Sequence, residues 1–254
     1  MSSLAPSGGV EPVTPDPARP VRRALLTQSW LDLAFLHWAV APQVVQPLLP
    51  SGTRPDVIDG RTYVGLIAFR MHRIGWLGLP GLPWLGSFPE TNVRLYSVDA
   101  AGRRAVVFRS LDASRLLPVL TARLGFRLPY VWSRMSVRRE GDVIEYAGRR
   151  HRPGNPSTSS HIKVRIGEPV ARPSAVEHFV TARWGLHYAP LRRTLYLPNE
   201  HPRWPLFRAH LLELRENLVT AAGLPAPDGP PDSVLYSPGV PVRFGAPLRD
   251  QTRP

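Results

Sequence analysis

The segment Phe88-Pro89-Glu90-Thr91-Asn92-Val93-Arg94-Leu95-Tyr96 carries an acid, an amide and a guanidinium at alternate positions. The pattern after the proline is typical of a β-strand, in which side chains alternate between two faces. Glu90, Asn92 and Arg94 therefore share a face. If this face lines a pocket, Glu90 is the acid–base group, while Asn92 and Arg94 bind a ligand. A guanidinium pairs with two oxygens at once, which favours a carboxylate or another anion.

The same alternation is also typical of the solvated outer face of a sheet, where an ion pair stabilises little. In the pocket alternative, the buried acid needs a partner, since an unpaired charge is costly to bury. We expect Arg94, four residues from Glu90, to supply that partner. The residues alone leave both alternatives open.

Two further groups are candidates for the same pocket. Asp112 follows Ser110 at a predicted strand-to-helix junction, so it orients a ligand, acts as a base or, as we prefer, caps the entry of a helix. His37 lies in an aromatic strand and is either an acid–base group or, as we prefer, a core histidine satisfied by one backbone hydrogen bond. The sequence gives each residue a structural and a functional interpretation.

The loop 76–87 is built from Gly, Pro and Leu and holds Trp76 and Trp84. It is too apolar to extend freely into water. Three roles are therefore predicted for this loop. It is a lid over the pocket with both tryptophans near the ligand, a plug in the core, or a surface that binds a partner.

Other chemistries have little support. The chain has no cysteine, which excludes disulfides and thiolate sites. The eight histidines show no metal-ligand spacing, so we expect neither a metal nor a cofactor. Ser174 and Glu177 have the spacing of a capping box, and His201, in His-Pro-Arg-Trp-Pro, is interpreted as part of a rigid turn.

The elements around these residues are mostly strands. Alternating and β-branched runs predict strands at 29–40, 61–74, 91–98, 105–111, 130–139, 143–150, 160–166, 185–188, 194–197, 207–214, 234–236 and 240–244. Helices are predicted at 42–46, 118–124, 174–183 and 216–222. Many short strands with few helices favour a closed or partly closed, mostly antiparallel β-barrel.

Composition sets the remaining limits. With 254 residues, 43% of them hydrophobic, the chain has enough apolar material for one large barrel domain, which we place at 25–246. Residues 1–24 and 247–254 are predicted to be disordered tails. The net charge of +13 allows a nucleic-acid-binding barrel as an alternative, although the arginines are scattered rather than gathered in one stripe. There is no apolar run of about 18 residues and no secretory signal, so we expect a cytoplasmic protein, with a homo-oligomer left open.

Several segments together resemble the YqjF-like bacterial family, a domain of unknown function. They run in order along residues 25–245: Trp30-Leu31-Asp32-Leu33-Ala34-Phe35-Leu36-His37-Trp38-Ala39-Val40, Pro47-Leu48-Leu49-Pro50, Asp59-Gly60, Ala68-Phe69-Arg70-Met71, Phe88-Pro89-Glu90-Thr91-Asn92-Val93-Arg94, Phe108-Arg109-Ser110-Leu111-Asp112-Ala113, Leu128-Pro129-Tyr130, Glu177-His178-Phe179, His201-Pro202-Arg203-Trp204-Pro205-Leu206 and Ala222-Gly223-Leu224-Pro225.

More remotely, this pattern resembles the acetoacetate decarboxylase-like barrels. Those decarboxylases bind small oxo-acids inside a barrel and form a Schiff base on a lysine. The matching stretch, 110–118, contains arginine but no lysine. Arginine stays protonated and cannot form a Schiff base, and the single lysine, Lys163, lies in an alternating run where a solvated strand face is expected. The resemblance implies the fold, and Glu90 matches a pocket glutamate, but the decarboxylase mechanism is not implied.

The sequence thus predicts a barrel that binds a small, anionic or oxo-acid-like metabolite, with acid–base catalysis that does not use lysine. The alternatives are a binding or sensing protein without turnover and a basic nucleic-acid-binding barrel. The identity of the ligand does not follow from the residues.

Overall fold

A computed structural model describes residues 9–76, 86–115, 127–152, 154–190 and 193–249. Short helices occupy Pro42–Val45 (α1, followed by a 3₁₀ turn at Gln46–Leu48), Ala175–Thr181 (α2) and Leu218–Ala221 (α3). The strands are β1 Leu26–Val40, β2 Thr53–Pro55, β3 Thr62–Trp76, β4 Phe88–Asp99, β5 Arg104–Ala113, β6 Tyr130–Glu140, β7 Val143–Arg150, β8 Ser159–Pro169, β9 Gly185–Tyr188, β10 Leu195–Glu200, β11 Phe207–Glu216, β12 Ser233–Phe244 and β13 Leu248–Arg249.

The described strands form one sheet that closes on itself twice. The nine-stranded ring has the order β5-β6-β7-β8-β11-β12-β1-β3-β4 and closes by pairing of β4 with β5. A second ring of seven strands follows the order β10-β9-β5-β4-β3-β1-β12 and closes by pairing of β10 with β12. Strand β5 pairs in parallel with β6 and β9, whereas the other pairs are antiparallel. The predicted closed, mostly antiparallel barrel is confirmed.

Five strands belong to both rings: β1, β3, β4, β5 and β12. Along β4 nearly every residue is buried, because one face lies inside each ring. Val93 and Leu95 pack with aliphatic side chains of the nine-stranded ring, such as Ile144 and Ile162. The alternate residues of β4 face the seven-stranded ring. This double burial explains why β4 has almost no exposed residue, even though its face in the seven-stranded ring carries Glu90, Asn92 and Arg94.

A β-bulge in β1 changes which side chains face the second ring. Asp32 has φ of +50°, and the pairing of β1 with β3 shifts between Leu31 and Ala34. Before the bulge the even-numbered Trp30 faces the seven-stranded ring, and after it the odd-numbered Leu33 does so. Residues forced into such a conformation need compensating contacts. The Asp32 carboxylate supplies them by accepting hydrogen bonds from Tyr236 and two arginines.

The helix α2 begins with the predicted capping box. Glu177 N donates to Ser174 Oγ at 3.2 Å, and Ser174 N donates to Glu177 Oε2 at 2.7 Å. Two donors that the first helical turn leaves free are thereby satisfied, so the structural interpretation of Glu177 is confirmed. The helix predicted at 118–124 lies outside the described residues.

Residues 9–24, which were predicted to belong to a disordered tail, contact the barrel in the structure. Glu11 N donates to Gly102 O at 2.9 Å, Trp184 Nε1 donates to Thr14 O at 3.1 Å, and Val21 is buried. Most of these contacts use backbone groups, which is why the low hydrophobicity of the segment does not reveal them. At the other end, β13 pairs with β10 inside the predicted C-terminal tail. In the described part of the chain, no helix is both long and apolar enough to cross a membrane.

Candidate functional site

The seven-stranded ring encloses a cavity of about 120 Å³. Every strand of that ring contributes to its lining, together with the start of β6 and the segments that follow α2 and β10. The wall is mainly apolar and aromatic, and its polar members are Gln28, Glu90, Asn92, Arg94, Tyr130, Thr181, Arg183, Asn199 and His201. Pockets for drug-sized ligands measure roughly 300–1,000 Å³, so this chamber suits a small metabolite.

Glu90 lies in the chamber and is only 2% exposed. Burial raises the pKa of its carboxyl to about 8; hydrogen bonds from Tyr130 and Asn92 oppose that rise, and the charge of Asp112 adds to it. The Tyr130 hydroxyl donates to Glu90 Oε2 at 3.1 Å. At neutral pH Glu90 is therefore mostly a protonated acid that can donate a hydrogen bond or a proton.

Arg94 reaches the chamber from the same face of β4. Its Nε donates to the Tyr96 hydroxyl at 2.9 Å and its Nη2 to Val180 O at 2.8 Å. None of the ion pairs found among the described residues includes Arg94. The predicted ion pair between Glu90 and Arg94 is therefore wrong: the acid is kept neutral by its surroundings and the guanidinium is held by a phenol and a carbonyl.

A second guanidinium lies beside the first. Arg183 is 4% exposed, donates through Nε to Phe179 O at 2.7 Å and pairs through Nη1 with Asp56. Asp56 also pairs with Arg104, so a single carboxylate is shared by two arginines. The Cζ atom of Arg183 lies 4.8 Å from the centroid of the Tyr96 ring, and the Cζ atom of Arg94 lies 5.5 Å from it. With Glu90 neutral, the groups in and around the chamber carry an excess of positive charge, which an anionic ligand would balance.

Four polar atoms of chamber-lining residues are buried without a hydrogen-bond partner. They are two donors, Trp30 Nε1 and Arg183 Nη2, and two side-chain oxygens, Asn92 Oδ1 and Asn199 Oδ1. In the described part of the chain, six buried side-chain atoms lack a partner, and four of them are concentrated at this one cavity. Buried polar groups are normally paired, so these four atoms are unusual in keeping their hydrogen-bonding capacity unused beside one cavity.

His201 adds a neutral imidazole to the lining. Its Nδ1 lies 2.7 Å from Pro202 O, and because a carbonyl only accepts, Nδ1 carries the proton and Nε2 the lone pair. Burial lowers the pKa of His201 to about 4, although the bond to Pro202 acts in the opposite direction. The ring packs between Trp184 and Trp204, with centroid distances of 4.5 and 4.7 Å.

The structure brings together three of the predicted site residues, Glu90, Asn92 and Arg94, and separates His37 from them. His37 is fully buried behind the chamber wall, with Nε2 at 2.7 Å from the Tyr96 hydroxyl. Burial and the nearby charges of two arginines lower the pKa of His37 well below its usual value. His37 is thus buried in the core, but its hydrogen-bond partner is a tyrosine hydroxyl and not the predicted backbone group, and its Nδ1 is unpaired in the described chain. The side chain of Trp76 and the whole of Trp84 lie outside the described residues.

Asp112 does not cap a helix. It lies within β5, and Arg150 donates to it through Nε at 2.7 Å and Nη2 at 2.9 Å. Ser110 and Ser133 donate to the same carboxylate. The capping interpretation is wrong because the buried ion pair already occupies both oxygens. Asp112 acts on the chamber only through the field of its charge at Glu90.

Lys163 is remote from the chamber. It lies on β8, where Glu145 of β7 and Glu213 of β11 are its cross-strand neighbours. Four lining residues do not follow from the sequence pattern, because their positions in the chain are far from β4: Tyr130, Arg183, Asn199 and His201. Two of them lie in segments, 128–130 and 201–206, that carry the family resemblance. Among the described residues, no cluster of three or more His, Cys, Asp or Glu side chains is arranged to hold a metal ion.

The closed double ring and its enclosed chamber define an acetoacetate decarboxylase-like barrel. An acetoacetate decarboxylase-like enzyme from Sphingomonas wittichii RW1 is similar in structure, with a TM-score of 0.59 and 14% identity, over 96% of this chain and 99% of that one. The enduracididine biosynthesis enzyme MppR complexed with pyruvate has a TM-score of 0.58 and 12% identity, over 91% and 92% of the two chains. At such identities the likeness establishes the fold alone.

The chain belongs to the family DUF2071, described as an uncharacterized conserved protein, which matches residues 27–241. It is also 32% identical over 211 residues to the uncharacterized protein YqjF of Bacillus subtilis (strain 168), covering 82% of this chain and 85% of that protein. The resemblance to the YqjF-like family is thereby confirmed.

Proposed function

We propose that the chamber binds a small metabolite with a carboxylate and a neighbouring carbonyl oxygen, of the oxo-acid class. The observation that carries the proposal is the group of four unpaired polar atoms around a cavity with excess positive charge. Arg94 binds the carboxylate, because two guanidinium N–H groups match two carboxylate oxygens. The pyruvate bound by MppR is a ligand of this class in a barrel of the same fold.

The proposed chemistry is acid–base catalysis without lysine. Protonated Glu90 donates a proton to the carbonyl oxygen of the ligand, and Tyr130, whose hydroxyl lies 3.1 Å from Glu90 Oε2, holds the acid in place. Neutral His201, whose Nε2 carries the lone pair, accepts the proton that leaves the carbon next to the carbonyl, so the ligand converts to its enol with no net change in its charge. The only lysine, Lys163, lies on β8 outside the chamber, so a Schiff base is not part of the proposal.

A thermal-shift titration with pyruvate and acetoacetate tests binding, and acetone serves as the probe that lacks the carboxylate. A ligand that binds the folded protein raises the melting temperature by mass action. We expect both oxo-acids, but not acetone, to raise the melting temperature. The substitution Arg94→Met should abolish the shift, whereas Arg54→Met, which removes an exposed arginine of β2, should retain it. Equal shifts with acetone and pyruvate would contradict the proposed carboxylate pairing.

The alternative is a protein that binds the same ligand without turnover. The variant Glu90→Gln separates the two functions, because glutamine keeps a hydrogen-bond donor but cannot transfer a proton. If the protein is an enzyme, the wild type should exchange the protons on the carbon next to the carbonyl for deuterium in heavy water, as measured by NMR. We expect this exchange to stop in the variant while binding persists. A wild-type protein that binds pyruvate and exchanges no proton would favour the binding function.

A further inference from the structure

A second cavity, of about 460 Å³, lies beside the chamber. We shall call it the arginine pocket. It is lined by Arg109, Ser110, Arg127, Leu128, Pro129, Tyr130, Val131, Arg150 and Ala221. Leu128 and Tyr130 line both cavities, so they form a common wall. The nine lining residues include three arginines and no acid.

The charges of the arginine pocket are only partly balanced. Arg150 pairs with Asp112, which lies behind it in β5. Arg109 donates through Nε to Ala222 O at 3.3 Å and through Nη1 to Leu48 O at 3.2 Å, and these neutral partners leave its charge in place. Burial lowers the pKa of Arg109, which shows that its surroundings are partly desolvated.

Arg127 supplies the second unbalanced charge. It is exposed at the mouth of the pocket, and in the described part of the chain it takes part in no hydrogen bond or ion pair. Its backbone has φ of +53°, a conformation that non-glycine residues adopt only at some cost. In the described chain, no hydrogen bond or ion pair would have to break for this guanidinium to bind an anion.

From these charges we infer that the arginine pocket binds a phosphate-class oxyanion, either inorganic phosphate or the phosphoryl group of a small metabolite. Two unbalanced guanidinium groups around one cavity match a dianion, and arginine donors in a fixed fork bind phosphate oxygens well. The volume exceeds that of the chamber, so it has room for more than the anion itself. This inference does not depend on the proposed function of the chamber.

Calorimetric titration of the full chain with inorganic phosphate and with glycerol 3-phosphate, at low and constant ionic strength, tests the site. We expect saturable binding, with glycerol 3-phosphate binding only if the pocket accepts a phosphomonoester as well as the free ion. The substitution Arg127→Ala should weaken binding about tenfold, the usual effect of losing a charge-assisted hydrogen bond. Since this side chain is exposed and forms no hydrogen bond or ion pair with the described residues, the substitution should leave folding intact.

Two control variants make the result specific. Arg134→Ala removes an exposed arginine from β6 outside the pocket and should leave phosphate binding unchanged. Arg94→Met alters the chamber and should also leave phosphate binding unchanged, so failure of the oxo-acid proposal is distinguishable from failure here. An absence of saturable phosphate binding in the wild type, or equal weakening by Arg127→Ala and Arg134→Ala, would overturn the inference.

Discussion

The substitution Glu90→Gln should change how the stability of the protein depends on pH. The pKa of Glu90 is raised from 4.5 to about 8 by burial. Between these two values the folded protein holds a proton on Glu90 that the unfolded chain has lost. Stability therefore falls as pH rises through this window, because the unfolded state is the one that ionises freely. Glutamine has no proton to lose, so the variant escapes this effect.

The magnitude follows from the two pKa values. One proton contributes about 1.4 kcal/mol per pH unit wherever the folded state holds it and the unfolded state does not. Between pH 5 and pH 7 the wild type should lose about 2.5 kcal/mol relative to the variant, and about 5 kcal/mol over the whole window. Such a difference is large beside the roughly 5–15 kcal/mol by which natural domains are stable.

The free energy of unfolding should be measured by urea titration from pH 5 to pH 9, for both proteins, using the fluorescence of the seven tryptophans. Buried His201, with its pKa lowered from 6.5 to about 4, makes both proteins more stable as pH rises up to about 6.5, and this contribution cancels in the difference. Glu168→Gln, which removes an exposed carboxylate from β8, is the matched control. If the free energy of unfolding depends on pH in the same way for the wild type and Glu90→Gln, then Glu90 is not protonated in the folded protein and the reasoning is wrong.

Four further outcomes are expected. Arg94→Met should raise the dissociation constant for pyruvate by about 10–100-fold in a calorimetric titration, because it removes a charge-assisted pair; unchanged affinity would exclude this arginine from the site. Asp112→Asn should lower the free energy of unfolding by about 3 kcal/mol in urea, since it leaves Arg150 buried without its carboxylate, and a loss below 1 kcal/mol would contradict that pairing. Ser174→Ala should cost about 1 kcal/mol by removing the cap of α2, with Ser174→Asn close to neutral. Gly185→Ala should lower the melting temperature, since a Cβ there would lie 2.5 Å from ring atoms of Tyr196; an unchanged melting temperature would show that the ring moves freely.

Much of the barrel could be predicted from the sequence, because strand alternation and turn residues are local signals. The position of Glu90, Asn92 and Arg94 on one face of the strand follows from the two-residue period alone. The second ring could not be predicted, since it depends on β10 meeting β12 through pairs such as Asn199 with Phe244. Contacts between residues so far apart in the chain leave no periodic signal.

The protonation states and bonding partners of the site residues also could not be predicted from the sequence. Spacing suggested that Arg94 neutralises Glu90, but burial and a tyrosine from β6 determine the state of the acid instead. Likewise, Asp112 has the residue type and position of a helix cap, whereas its partner Arg150 arrives from the end of β7. A residue type shows which bonds a side chain can form, and the tertiary fold decides which bond it forms.

The two rings differ in how their interiors are filled. The nine-stranded ring is filled with aliphatic side chains, which supply hydrophobic stabilisation without polar cost. The seven-stranded ring keeps four unpaired polar atoms in residues around its cavity, and each such atom costs about 1–3 kcal/mol. A chamber of this kind persists only because the neighbouring core compensates for it. A ligand that pairs those atoms would remove part of this cost, so under the proposed function the same hydrogen bonds would serve both recognition of the ligand and stabilisation of the fold.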